Sequence, residues 1–279
     1  MASPGAQLIA RTALIIVAGG SGKRFGGFKQ LAELGGQPLL RVAIRAFATL
    51  PFAERIVVLP QELIDRGVGV FEPPENIVRF IPGGAERADS VREGVRACGP
   101  GIQYVAVHDG ARPFPPLTAI RRAFEMLAED HALGGAILCA PMTDTVKRVG
   151  AEGRIQITLP RTDLRRAETP QIVRRALLEH ALEQPGFETA TDEAQLLEWW
   201  GHPVAAVVHN RSSWIRTADG VRSGAALAQR TAHVRNRGCL HVDQFTRVHD
   251  RQQKAAVLHV LDAAEQQHRA ESSQGADDE

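Results

Sequence analysis

Cysteine is scarce in this chain: there are three in 279 residues, Cys98, Cys139 and Cys239, far apart and with no C-x-x-C pair. That spacing suggests neither a zinc cage nor a disulfide framework, and the thiols read as small core or surface residues. An excess of charge is also missing, since 33 Lys and Arg stand against 32 Asp and Glu for a net +1 at pH 7. A general nucleic-acid or membrane-surface binder would carry a basic excess, so any anion site must be local, and small-molecule partners are expected rather than nucleic acid. The main apolar run near the N-terminus is too short to span a bilayer. Only Arg11 lies ahead of it and no separate cleavage region follows, so no membrane partner and a cytoplasmic location are expected. No internal repeat is visible.

What is present is the balance of a soluble globular protein, 44% hydrophobic and 23% charged. The length suits one large α/β domain with an appendage, or two small domains. Apolar, β-branched runs at 13–18, 55–59, 76–81, 104–107 and 136–140 alternate with helical patterns at 38–49, 87–98 and 117–128. Continuous rather than alternating apolarity marks strands covered on both faces, and the alternation of strand and helix predicts a mostly parallel sheet. Ligands in such sheets bind outside the carboxyl ends of the strands. The segment 144–171 breaks the rhythm with two short strand-like pieces around Gly150-Ala151-Glu152-Gly153, and predicts a protruding β-arm too small to hold a core by itself. Helical patterns return at 174–183 and 192–199, followed by a strand at 204–208 and a helix near 223–230; residues 262–279 form a polar tail.

The richest stretch is AGGSGKRFGGFKQ, Ala18 to Gln30, directly after the first strand. Gly19, Gly20 and Gly22 let backbone N–H groups turn toward a polyphosphate, and Arg24 and Lys29 add mobile positive charge. It is not a P-loop, because Gly22-Lys23 is followed by Arg24 rather than Ser or Thr. The dinucleotide fingerprint fits only in part, since Phe25 occupies the third glycine position. A plain strand-to-helix turn is the bland alternative.

Further clusters end the later strands. Gly83-Gly84-Ala85-Glu86-Arg87-Ala88-Asp89-Ser90 opens a helix, where free N–H groups with Arg87 and Ser90 can read polar edges or phosphate, or where Asp89 or Ser90 simply caps the turn. His108-Asp109-Gly110-Ala111-Arg112 puts a carboxylate at a strand end, the residue type that holds Mg²⁺ beside phosphate oxygens; His108 reads as a packed core residue. Asp144-Thr145, Pro160-Arg161 and Glu168-Thr169-Pro170-Gln171 bracket the arm, and their hydroxyls and arginine suit a phosphorylated polyol or ordinary solvated surface. Thr191-Asp192-Glu193 reads as a helix N-cap with acids suited to the dipole.

Taken together, AGGSGKRFGGFKQ, GGAERADSV, VHDGARP, APMTDTVKR, LPRTDLRRAETPQ and TDEAQLLEWWG, in this order, resemble the 2-C-methyl-D-erythritol 4-phosphate cytidylyltransferase family of the non-mevalonate isoprenoid pathway. The resemblance covers roughly residues 12 to 230 and leaves 231–279 as a C-terminal extension. It implies a Rossmann-like nucleotidyltransferase with a dimerising β-arm, hence a homodimer, and CTP as co-substrate with Mg²⁺. By motif position, Arg24 and Lys29 would stabilise the triphosphate and the pentavalent α-phosphorus. Ala18, Gly19, Gly20, Gly22, Gly84, Arg87 and Ser90 would hold the nucleotide, with Asp109 near metal and ribose. Arg161 and Thr169 from the partner's arm would grip the substrate phosphate, with Thr145 nearby.

The chain departs from the family pattern in three places. The Arg24–Lys29 loop is two residues shorter and lacks a proline before the lysine, and Ala85 stands where many relatives carry a polar residue. Arg211 and Trp214 take the positions of a family acid and lysine, with Arg216 a candidate replacement. A pentitol-phosphate cytidylyltransferase and a catalytically impaired nucleotide-binding homologue are the rival readings.

Overall fold

The apolar run near the N-terminus becomes an interior strand of a seven-stranded sheet. A computed structural model of the chain describes residues 3–20, 27–69, 71 and 78–209. In chain order the elements are α1 (Pro4–Ile9), β1 (Thr12–Val17), β2 (Glu33–Leu34), β3 (Gln37–Pro38), α2 (Leu39–Arg45), β4 (Glu54–Leu59), α3 (Gln61–Asp65), β5 (Arg79–Pro82), α4 (Arg87–Arg96), β6 (Tyr104–Asp109), α5 (Leu117–Glu129), β7 (Gly135–Pro141), β8 (Lys147–Val149), β9 (Ile155–Thr158), β10 (Arg165–Arg174), α6 (Arg175–Leu182), α7 (Glu193–Trp199) and β11 (Val204–Val208). The large sheet runs β11-β7-β10-β6-β1-β4-β5. Only β10 is antiparallel to its neighbours.

Both faces of the sheet are covered, which is why its strands read as unbroken apolar runs. Leu14 and Ile16 of β1 face a core shared with α2, α3 and α5. Ala13 and Ile15 face the opposite core, shared with α4, α6 and α7. The chain leaves β1 for β4 on one side and comes back from β5 to β6 on the other, so the topological switch falls between β1 and β6. Backbone bonds continue past the strand ends there: Ala18 N donates to Val58 O at 2.9 Å, Gly83 N to Leu59 O at 2.8 Å and Gly110 N to Val17 O at 2.9 Å. Three loops are thereby drawn to one edge, where open α/β sheets bind ligands.

The segment 144–171, expected as one protruding hairpin, divides in two. The exposed pair β8–β9 forms its own two-stranded sheet with the Gly150–Gly153 turn at its tip. The following residues instead enter the central sheet as β10, between β6 and β7. Its pairing with β7 shifts register between Glu168 and Gln171, where Pro170 has no N–H to donate. Four short elements carried no clear sequence signal: α1, which packs on α5 with Gly5 against the Glu125 backbone, the paired β2 and β3, and α3. The expected strand at 76–81 is observed from Arg79, and the expected helix at 38–49 ends at Arg45. Expectations for 223–230 and 231–279, and for Cys239, fall outside the described residues. Cys98 and Cys139 are buried thiols.

Helix α4 lies close on β1. A Cβ added at Gly94 would come within 2.6 Å of Ile15 Cγ2 and 3.3 Å of Val58 Cγ2, both on stiff, buried side chains. Gly94→Val therefore forces the helix off the sheet and is expected to lower stability by about 2 kcal/mol in urea unfolding. An unchanged midpoint would contradict the close packing.

Candidate active site

The loop after β1 is pinned by the short 3₁₀ turn Lys29–Leu31. Gln30, buried in that turn, donates its side-chain amide to the carbonyls of Ala18 and of Gly20, the latter at 2.9 Å. Gly19 faces the next loop, and a Cβ there would stand 2.8 Å from Ser90 Oγ; a Cβ on Gly20 would meet only open space. On the facing loop a Cβ at Gly84 would lie 2.2 Å from Asp89 Cβ, so only glycine fits. These glycines serve close approach of backbones, as a cradle requires. Neither Asp89 nor Ser90 is the cap of α4: Glu86 is, and Asp89, three residues on, accepts the Glu86 N–H at 3.2 Å to complete a capping box, while Ser90 is buried between the loops.

At the end of β6 sits a chain of alternating charges. Asp109 Oδ1 accepts from Arg87 at 3.3 Å, and its Oδ2 from Arg112 Nε at 3.1 Å. Beyond Arg87, Glu193 receives two bonds, 2.7 and 3.2 Å long. Beyond Arg112, which is 3% exposed, lies Glu168 at 3.7 Å, itself held by Arg166 at 3.0 Å and approached by His209 at 3.4 Å. Burial pushes the Asp109 carboxyl up, but Arg87, Arg112 and His108 outweigh it and hold it below its ordinary value. Burial alone would depress the Arg87 guanidinium; Glu193 and Asp109 hold it above its usual range instead. Lys29, half-buried, is pushed below its ordinary value by burial, with Asp109 opposing.

His108 is fully buried against the edge of Phe47. Its Nε2 lies 2.9 Å from the Arg112 carbonyl, which can only accept, so Nε2 carries the proton. Nδ1 then accepts from the Thr169 hydroxyl at 3.2 Å, and that hydroxyl accepts from the Asp109 N–H at 3.1 Å. The relay locks β10 to the end of β6.

A glycine-lined cradle, a lysine and a charge chain thus meet at the switch point of a mostly parallel sheet. The family model for 2-C-methyl-D-erythritol 4-phosphate cytidylyltransferase matches residues 12–220. The chain belongs to this family. Among its relatives, the protein named 2-C-methyl-D-erythritol 4-phosphate cytidylyltransferase in Carboxydothermus hydrogenoformans is 38% identical over 200 residues, covering 70% of this chain and 84% of that one. A bifunctional enzyme IspD/IspF of an Anaeromyxobacter species is 44% identical over 71% of this chain, which spans 52% of that longer protein, about half its length. The crystal structure of the Thermus thermophilus 2-C-methyl-D-erythritol 4-phosphate cytidylyltransferase superposes with a TM-score of 0.60 at 32% identity, over 78% of this chain and 98% of that one.

Of the residues expected to form the cytidylyltransferase site, the structure gathers Ala18, Gly19, Gly20, Lys29, Gly84, Arg87, Ser90, Asp109 and Thr169 at one edge. Thr169 requires a correction. It was expected on the partner's arm, but it lies buried in β10 and bonds the Asp109 backbone of its own chain. Thr145 and Arg161 are exposed on the arm side, where Arg161 donates to the Thr143 carbonyl at 2.6 Å. Gly22, Arg24, Arg211, Trp214 and Arg216 lie outside the described residues.

The sequence also assigns Asp109 to the metal, and both of its oxygens accept from guanidiniums, Arg87 and Arg112. Mg²⁺ is held by one or two carboxylates together with phosphate oxygens and water, and each Asp109 oxygen keeps a second lone pair, so this strand-end carboxylate fits the role beside a bound triphosphate. Sequence reasoning missed Gln30, Arg112, Glu168 and Glu193 as site-building residues. Gln30 lay within a quoted motif and Glu193 beside the predicted cap Asp192, which does cap α7 by accepting from Gln195 N at 2.9 Å.

Burial lowers His108 from its ordinary 6.5 to about 4. Between those values the unfolded chain binds a proton that the folded one refuses, so stability present above pH 6.5 is lost as pH falls toward 4. Between pH 7 and pH 5 the wild type is expected to lose about 2 kcal/mol more than His108→Gln in urea unfolding. Parallel losses in both proteins would show that His108 is not held neutral.

Proposed function

We propose that this chain transfers CMP from CTP to 2-C-methyl-D-erythritol 4-phosphate, giving 4-diphosphocytidyl-2-C-methyl-D-erythritol and pyrophosphate. The observation that carries the reading is the convergence of the Gly19–Gly20 and Gly83–Gly84 turns, Lys29 and the Asp109 charge chain at one edge, in a member of this family. The domain responsible is assigned to residues 12–230. A phosphate oxygen of the substrate attacks the α-phosphorus in line with the bond to the β-phosphate; the new O–P bond forms as that bond breaks and pyrophosphate leaves.

Lys29 is assigned to the triphosphate, and Arg24, by motif position, to the same role. The Lys29 ammonium is partly desolvated by burial, which strengthens its pull on developing charge. Gly20 and Gly84 let the nucleotide approach the backbone. Arg161 and Thr145 are assigned to the substrate phosphate. Divalent metal, implied by the family resemblance, would supply charge neutralisation on the triphosphate oxygens, and Asp109 is the described carboxylate that would hold it.

The occupant proposed for the arm is a second copy of the chain. Val149, Ile155 and Ile157 expose apolar side chains on β8–β9, a pair too small to be stable alone. A homodimer through this arm would bury them. No helix among the described residues is long and apolar enough to cross a membrane, and the cytoplasm is the proposed compartment.

The names of the relatives favour methylerythritol phosphate over a pentitol phosphate. Pyrophosphate release with CTP is expected with the former and not with ribitol 5-phosphate; CTP binding without turnover on either would support the impaired-homologue reading. Lys29→Ala is expected to lower kcat by on the order of 10²-fold with a small change in CTP affinity. An unaltered kcat would remove Lys29 from the chemistry. For the arm, Ile155→Glu is expected to shift the sedimentation coefficient from dimer to monomer; a wild type that sediments as a monomer would overturn the second-copy assignment.

A further inference from the structure

Glu193 has no role in the reaction as assigned above, yet its side chain is almost wholly buried, at 2% exposure, beside the site. A carboxylate there is costly unless it is paired and hydrogen-bonded. Arg87 supplies the pairing, with Nη1 at 2.7 Å from Oε1 and Nη2 at 3.2 Å from Oε2. The same guanidinium turns its Nε and Nη2 to Asp109 Oδ1, at 3.4 and 3.3 Å. One planar group is thus fixed by two carboxylates, one on α7 and one at the end of β6.

Two consequences follow from the geometry. The positive charge of the Arg87 guanidinium is already countered by two carboxylates, so Arg87 acts by holding structure rather than by attracting phosphate. Arg87 is also the first residue of α4, immediately after the Gly83–Glu86 loop, so fixing its side chain fixes that loop against β6 and α7. The contact joins residues 106 apart in sequence and is bidentate, the arrangement with the most orientational control.

We propose that Glu193 is a positioning residue for CTP: by clamping Arg87 onto Asp109 it holds the Gly83–Glu86 loop in the shape that receives the nucleotide, without touching the nucleotide itself. This rests on the cytidylyltransferase reading for the identity of the ligand. Glu193→Gln keeps the volume and one acceptor but loses the charge and the second acceptor. It leaves Lys29, the arm and the loop sequence untouched.

The test measures the CTP dissociation constant by calorimetry for wild type, Glu193→Gln, Arg87→Ala and the double variant, with turnover and thermal melting beside it. Glu193→Gln is expected to weaken CTP on the order of tenfold, the scale of one lost interaction. Its kcat at saturating CTP and its KM for the polyol phosphate are expected to stay within about threefold of wild type. On the Arg87→Ala background the same change is expected to weaken CTP no further, because Glu193 acts only through Arg87. A folded Glu193→Gln with wild-type CTP affinity, or full additivity in the double variant, would overturn the proposal. If Glu193→Gln fails to melt cooperatively, Glu193→Asp is read in its place: it keeps the charge, draws the carboxylate back by one methylene, and must also weaken CTP. Wild-type protein that binds CTP without turnover on any polyol phosphate would sink the reaction reading while leaving the affinities, and so the role of Glu193, still readable.

Discussion

The site depends on the sharing of Asp109 between Arg87 and Arg112. A half-buried carboxylate held by one guanidinium would leave part of its charge unsatisfied; held by two, it becomes the fixed point from which the loop after β5, the end of β6 and strand β10 are measured. Glu193 and Glu168 extend the chain on either side, so that Arg87 and Arg112 each meet two carboxylates. The net effect is a rigid, nearly neutral floor. Lys29 stands beside that floor as a cation that burial has partly stripped of water.

This division separates positioning from charge. Interior ion pairs contribute little net stability once desolvation is counted, and their best-attested use is to specify one arrangement among several. Here the arrangement specified is the spacing of the two glycine turns, after β1 and after β5, beside the switch point between β1 and β6. The hydrogen-bond relay through His108 and Thr169 serves the same end from below, since it ties the antiparallel strand to the backbone of Asp109 and requires a neutral imidazole.

Much of this was legible in the sequence. The strands covered on both faces are continuous apolar runs, so β1, β4, β6, β7 and β11 stand out, and the glycine clusters after β1 and β5 mark the cradle directly. Strand β10 was illegible because the residues that make it useful disguise it: Arg165, Arg166, Glu168, Thr169 and Gln171 are polar, and Pro170 argues against a central strand by ordinary rules. Of these, Glu168, Thr169 and Gln171 are buried, and each is satisfied by partners distant in sequence: Arg112, the Asp109 backbone with His108, and Asp192 with the Ala194 N–H. Nothing local to Glu193 announces a partner 106 residues away; next to Asp192 it reads as a cap acid. Motif order carried what periodicity could not, by bringing Lys29, Arg87 and Asp109 into one family pattern before any contact was known. The motif likewise gives the carboxylate at the end of β6 but not the two arginines that pair with it.

A crystal structure of the CTP complex tests the central claim most directly. The account predicts the nucleotide lodged between the Gly19–Gly20 and Gly83–Gly84 turns, its triphosphate directed to Lys29, and Arg87 still bridging Glu193 and Asp109. A nucleotide bound elsewhere, or Arg87 swung onto the triphosphate with its bonds to Glu193 broken, would contradict it.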